Sequence, residues 1–337
     1  MNSAKRVIQM KSNKVIGISL LRVFACFSVF MVHFGQRTSL SGVLRVITDR
    51  GQHGVRLFFV ISGYLACLTW YNRHKDLRRE TILEYYKKRA IRLLPLYYFC
   101  ILYYFVTETF FWRDVPADPY GLYWLRYIFL LNGIIPGDAY FWSNLGITWT
   151  IPLFAYFYLM FPFIAYYCDT FRKTAILFIV TVVLSIIRTH FMGDWLVVLK
   201  HAPVFLIGIM TYHAVQEHRE KQLLLIMLAI TVSSICGITI LLFIYGAISA
   251  VLILLFRNIT INNSTIRSII LTLDKYSYTV YLAHGIIFCG LLDKLGLSPK
   301  RTALIAVVGT AILTVFIYHA IERPIQDVLL KRVKRSG

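Results

Sequence analysis

Residues 15–36 read VIGISLLRVFACFSVFMVHFGQ. About 20 mostly apolar residues cross the hydrocarbon core of a bilayer as one helix, and this stretch meets that length. Two ionisable side chains interrupt it, Arg22 and His33. Eleven residues separate them, which is about 1100° of helical rotation and roughly 20° past three turns, so both project from one face about 16 Å apart. Cys26 and Val29 fill the stripe between them. A charged group inside a span costs at least about 2.5–3.5 kcal/mol, so such residues are functional candidates. A neutral imidazole is a ready general base, and a guanidinium on the same wall can hold an anionic substrate or orient a carboxylate. The plainer reading is an arginine reaching for the interface and a histidine hydrogen-bonded to a neighbouring helix.

The rest of the 337-residue chain extends this picture. Hydrophobic residues make up 58% and charged residues 15%, where soluble domains run at about 45–50% and about 25%. Mean hydropathy is +0.65. A single soluble core stops growing near this length and cannot hide so much apolar surface. A disordered chain, a disulfide scaffold and a soluble Rossmann-type enzyme are excluded. The formal net charge of +20 reads as membrane topology, with no nucleic-acid partner implied. The six cysteines lie in apolar runs without a Cys-x-x-Cys pair, so neither a disulfide framework nor a metal site is indicated.

Ten candidate spans follow: 15–36, 52–71, 93–111, 145–167, 174–191, 195–215, 222–240, 241–257, 276–294 and 302–321. The stretch 121–137 is short, contains Arg126, Asn132, Gly133 and Pro136, and reads as interfacial or re-entrant. With both termini cytoplasmic, the inside segments hold 24 Lys and Arg and the outside segments 10, counting residues at span edges; Arg22 and Lys200 fall within spans. That asymmetry follows the positive-inside rule. The sequence therefore predicts an all-α polytopic integral membrane protein of about ten transmembrane helices. Residues 1–14 form a cytoplasmic tail without a cleavage site, 15–321 the transmembrane domain, and 322–337 a basic cytoplasmic tail.

Further polar groups mark the spans. Arg89 and Arg92 are three residues apart at the cytoplasmic mouth of the third span. They form either a positive-inside anchor or a clamp for phosphate oxygens. Ser62-Gly63 in the second span permits close helix packing, with a catalytic serine as the sharper alternative. Tyr278, Tyr281 and His284 share one face of the ninth span, for interhelical hydrogen bonds or for chemistry. Glu322 precedes Arg323-Pro324, where Pro324 is expected to end the straight helix. Lys200 and His201 suggest no role.

The ordered set resembles acyltransferase family three, bacterial membrane enzymes that O-acylate surface sugars. The matching segments are Arg22 to His33, the Phe-Phe-x-x-Ser-Gly-Tyr run at Phe58 to Tyr64, and Arg89, Arg92 and Pro95. Ser-Tyr-x-x-Tyr-Leu-x-His at Ser277 to His284 and Glu-Arg-Pro at Glu322 to Pro324 complete it. One departure stands out. Where many members carry Trp-Ser-Leu-x-x-Glu, this chain has Phe154 at the Glu position, five residues after Trp149. The carboxylate is then dispensable, replaced by Glu322 or Asp138, or lost with altered activity.

The resemblance implies a bacterial cytoplasmic-membrane O-acyltransferase that moves an acyl group, most often acetyl, from cytosolic acyl-CoA to a carbohydrate hydroxyl. Acyl-CoA would be a co-substrate, with no permanently bound cofactor. His33 would be the general base, Arg22 would position the donor or stabilise developing charge, and Arg89 and Arg92 would bind the phosphates of CoA. Ser62, Tyr281, His284 and Glu322 are possible supporting residues. The outer loops 37–51 and 112–144 would help select the acceptor, and Trp112, Tyr120, Tyr123, Trp124, Tyr140 and Trp142 would either stack on sugars or form an interfacial aromatic belt. The competing class is an exporter or flippase of a glycan or lipid-linked sugar, which also suits intramembrane His and Arg. A purely structural scaffold would not carry so many costly polar groups.

Overall fold

The computed structural model describes residues 2–73, 76–112, 123–135, 147–193, 195–237 and 241–335. These residues are helical with short connections and contain no strand. In chain order the helices are α1 (Asn2–Arg37), α2 (Gly42–Arg50), α3 (Gly54–Arg73), α4 (Arg79–Val106), α5 (Tyr123–Ile128), α6 (Thr150–Tyr167), α7 (Phe171–Phe191) and α8 (Val197–Gln216). They continue with α9 (Glu220–Ile235), α10 (Leu242–Phe256), α11 (Ser264–Gly285), the single turn α12 (Asp293–Leu295), α13 (Pro299–Ile317) and α14 (Arg323–Arg335).

Seven helical stretches are long and apolar enough to cross a membrane: Ile16–Arg37, Gly42–Asn72, Arg79–Trp112, Ile147–Tyr167, Phe171–Phe191, Val197–Gln216 and Pro299–Lys331. They coincide with seven of the ten sequence-predicted spans. The other three fall on α9, α10 and α11. The first two have only 16 and 15 residues, and α11 carries Arg267, Asp274 and Lys275 within its length. In the predicted interfacial stretch, α5 is a six-residue helix, too short to cross. Tyr97 and Tyr98 on α4 donate their hydroxyls to the carbonyls of Tyr127 and Ile128, each at 2.8 Å.

The outer face is apolar, as lipid solvent demands, while the interior combines an apolar core with the buried polar side chains. On α7, Ile176, Ile179, Val180, Val183 and Ile187 are exposed, while Thr174, Phe178, Val182, Ser185 and Arg188 are buried. On α1, Phe24 and Phe27 face outward at 56% and 60% exposure. Near the centre runs α8, buried from Pro203 through Ala214.

It packs against α3 through facing glycines. A Cβ on Gly63 would come within 2.2 Å of the Phe205 carbonyl oxygen, and one on Gly208 within 2.0 Å of the Val60 carbonyl oxygen. Backbones approach this closely only where both residues lack a side chain. The α11 N-terminus is capped by Asn263, whose side-chain oxygen accepts from the amides of Thr265 and Ile266 at 3.0 Å each.

Pro324 does not end the last helix, contrary to the sequence expectation. The chain passes from α13 through a π-helical segment, Tyr318–Glu322, directly into α14. Pro324 falls at the second position of α14, immediately beyond the π turn. The extra residue of the π turn absorbs the mismatch.

Gly63→Ala and Gly208→Ala should each destabilise the detergent-purified protein by about 1–3 kcal/mol, because a methyl there forces α3 and α8 apart. Gly309→Ala, where the new Cβ meets its nearest neighbour at 3.4 Å, should melt much closer to the parent. Thermal unfolding of the three variants checks the ranking.

Candidate active site

Two helices define the site. The face of α1 bearing Arg22, Cys26 and His33 lies along α11, and the contacts advance together. Arg22 Nη1 is 3.1 Å from Asp274 Oδ1, and Arg22 Nη2 donates to Ser277 Oγ at 3.4 Å. Ser19 Oγ donates to Asp274 Oδ2 at 2.8 Å. One turn on, Cys26 Sγ donates to the Ser277 carbonyl at 3.4 Å. The rings of His33 and His284 have centroids 5.2 Å apart. At the far end Arg37 grips Asp293 with two bonds of 2.7 Å. Pairings that climb both helices in the same order make α1 and α11 parallel.

A cavity of about 120 Å³ opens at the Arg22 end, lined by Arg22, Ser62, Arg89, Arg92, Ser277, Tyr278 and Tyr281 among others. It gathers three guanidiniums. Arg22 is offset by Asp274, while Arg89 sits over the rings of Tyr158 and Tyr85 at 4.8 and 5.3 Å, a cation–π arrangement. The hydroxyl of Tyr278 donates to the Leu93 carbonyl at 2.6 Å, tying α11 to α4 beside Arg92. Such a concentration of positive charge in a concave site suits a polyanionic ligand.

A second cavity of about 460 Å³ lies at the His33 end, where His33, His284, Tyr281, Gln36, Arg37, Gln52, Arg56 and Trp149 contribute to its wall. His33 is half-buried, and its ring turns into the protein, away from lipid. His284 Nδ1 lies 3.0 Å from the Val280 carbonyl, which only accepts, so Nδ1 carries the proton and Nε2 the lone pair. That Nε2, and His33 Nδ1, are buried without a hydrogen-bond partner. The two cavities share Tyr281 and Val55 in their walls. The Tyr281 hydroxyl accepts from Thr150 Oγ1 at 3.0 Å and donates to the Ile147 carbonyl at 3.2 Å, which fixes the ring where the cavities meet.

Arg22, Arg89, Arg92 and Ser62 thus gather at one cavity, His33 and His284 at the other, and Tyr281 at both. Glu322 lines neither. Buried, it accepts from Thr279 Oγ1 and from Gln326 Nε2, joining α11 to the start of α14. Phe154 fills its part of the first cavity wall and packs against Phe59 and Phe205 at 5.1 and 5.5 Å. The carboxylate beside Arg22 is instead Asp274 on α11. Glu322 therefore does not stand in the cavity wall that Phe154 occupies, and Asp138 lies outside the described residues, as do Tyr120, Tyr140 and Trp142. His201 is enclosed by Phe59 and Trp149.

Sequence reasoning missed Asp274, Arg37 and Arg56. Asp274 precedes Ser277 by three residues, so the Tyr278–Tyr281–His284 periodicity extended by one turn reaches it. Arg37 and Arg56 entered only as outside charges.

Asp274→Ala leaves the Arg22 guanidinium without its acid. With side chains 18% and 13% exposed, the cost should be about 2 kcal/mol, below the 3–5 of a fully buried pair. Replacing Arg22 by Met in the same protein should recover part of it. Unfolding of the single and double variants in detergent measures this.

Comparisons with known proteins bear on the family to which the chain belongs. The acyltransferase domain profile of family three matches residues 15–323. The chain is 25% identical over 167 residues to O-acetyltransferase OatA of Staphylococcus aureus, a match covering 48% of this chain and 26% of that one. It is 30% identical over 155 residues to the putative acetyltransferase ORF330 of Acidianus two-tailed virus, covering 46% and 42%. The chain thus matches less than half the length of each of these relatives. No solved structure matches. With the profile spanning nearly its whole length, the chain belongs to acyltransferase family three.

Proposed function

We propose that the protein is a ten-span membrane O-acetyltransferase, both termini cytoplasmic, that moves an acetyl group from cytosolic acetyl-CoA to a carbohydrate hydroxyl presented at the opposite face of a bacterial cytoplasmic membrane. The observation that carries the reading is the pair of cavities: one rich in guanidiniums, one holding two imidazoles, with Tyr281 and Val55 in both walls. The parallel course of α1 and α11 supports placing both helices as entries from the same side.

In this reading Arg89 and Arg92 bind the phosphates of CoA. Arg22, held by Asp274, steers the pantetheine arm inward. The thioester arrives near Tyr281. From the other cavity an acceptor hydroxyl approaches His33, which takes its proton as the oxygen attacks the thioester carbonyl. The C–O bond forms, the C–S bond of the tetrahedral adduct breaks, and the departing thiolate receives the proton from the imidazolium. The ester and free CoA remain. Holding both reactants in fixed cavities supplies the orientation that a bimolecular encounter lacks.

His33→Ala should lower acetyl transfer by about 10²–10⁴-fold, the usual contribution of general acid–base catalysis, at unchanged expression. Quantifying acetyl esters on the surface glycans of cells tests it, and full acetylation would refute the base assignment. Arg89→Ala/Arg92→Ala should abolish the thermal stabilisation that CoA confers on the purified protein. Equal stabilisation of parent and variant would remove the clamp.

A further inference from the structure

The His33 cavity carries a charge pattern that the transfer of an acetyl group does not itself require. Two guanidiniums line it, Arg37 and Arg56. Arg37 is neutralised by its two-bonded pair with Asp293. Arg56 is not. Among the described residues it forms no ion pair, its one hydrogen bond runs from Nη1 to the Gln52 carbonyl of its own chain segment at 3.0 Å, and its Nε is enclosed without an acceptor. Among the described residues no carboxylate contributes to the cavity wall. The remaining polar lining consists of the amides of Gln36 and Gln52, the indole of Trp149, the phenol of Tyr281 and the two imidazoles.

A guanidinium on a cavity wall without a counter-ion leaves its charge free for an incoming anion. An entering oxyanion would pair with it, and the Arg56 guanidinium on the cavity wall offers the charged N–H donors that carboxylates and phosphates accept. Amides and an indole suit the neutral remainder of a sugar, and about 460 Å³ falls within the range of roughly 300–1,000 Å³ usual for small-molecule sites. We propose that this cavity selects an anionic acceptor, a sugar bearing a carboxylate or a phosphate ester, and that Arg56 is the specificity-determining residue that recognises the oxyanion and so sets the acceptor hydroxyl before His33. The proposal rests on reading the cavity as the acceptor side of an acyltransferase. It adds the chemical class of the acceptor.

The test uses the full chain purified in detergent, with acetyl-CoA and matched probes. Tetragalacturonate is set against its neutral methyl ester, and glucose 1-phosphate against glucose, so the two arms separate carboxylate from phosphate recognition. At least one charged probe should raise the melting temperature and accept acetyl with kcat/KM about tenfold or more above its neutral partner, in keeping with charge-assisted binding. Arg56→Gln should erase the preference mainly through KM, Arg56→Lys should retain part of it, and both should keep the stabilisation by CoA that reports a folded donor cavity. Equal response to charged and neutral probes, no response to any probe, or an unchanged preference in Arg56→Gln overturns the proposal. A charged probe that stabilises the parent yet receives no acetyl group would leave the anion site standing and defeat the acyltransfer reading instead.

Discussion

The structure depends on the seam between α1 and α11. In lipid there is no water to satisfy a polar side chain, so every ionisable group on one helix needs its answer on another. Here the answers come in register: Arg22 with Asp274 and Ser277 and His33 beside His284 on α11, then Arg37 with Asp293 beyond it on α12. Each pairing is intelligible alone, but their common order along both helices fixes the relative height of the two. Once those heights are set, the guanidinium end and the imidazole end of the site are separated by the rise of α1 itself. Neighbouring contacts, such as the Tyr278 bond to Leu93 on α4 and the Gly63 and Gly208 approach of α3 to α8, then hold the walls of the cavities around that seam.

Much of this was legible in the sequence, and what was not has a physical reason. The shared face of Arg22 and His33 follows from helical periodicity, which needs no tertiary information. The identity of the facing helix does not. Asp274 acquires meaning only when α11 lies parallel to α1, and that is a property of packing. Arg37 and Arg56 were visible as charges near span ends, and charge counting sorts such residues by side of the membrane without saying which have an acid nearby. Pro324 shows the limit of local rules. Proline disfavours a continuing helix, yet a π turn immediately before it lets the axis run on. The spans that fall on α9, α10 and α11 were delimited by hydropathy, and the helices there are short or interrupted by charge.

The departure at Phe154 becomes understandable beside Asp274. A cavity with three guanidiniums does not tolerate the loss of all negative charge. The wall formed by α6 at Phe154 is aromatic and packs into the cluster with Phe59 and Phe205, whereas the acid that pairs with Arg22 stands on α11. Arg22 thus keeps a carboxylate partner while the cavity wall at Phe154 is apolar.

The shared wall of Tyr281 and Val55 bears on a matter apart from catalysis. A cell membrane must remain an insulator, and any protein that admits polar ligands from two directions thins that insulation locally. Where the two cavities share a wall stand a phenol ring, its hydroxyl fastened to Thr150 and the Ile147 carbonyl, and one valine. In the proposed reaction the same aromatic side chain that brings two substrates together would also keep protons and salt from following them.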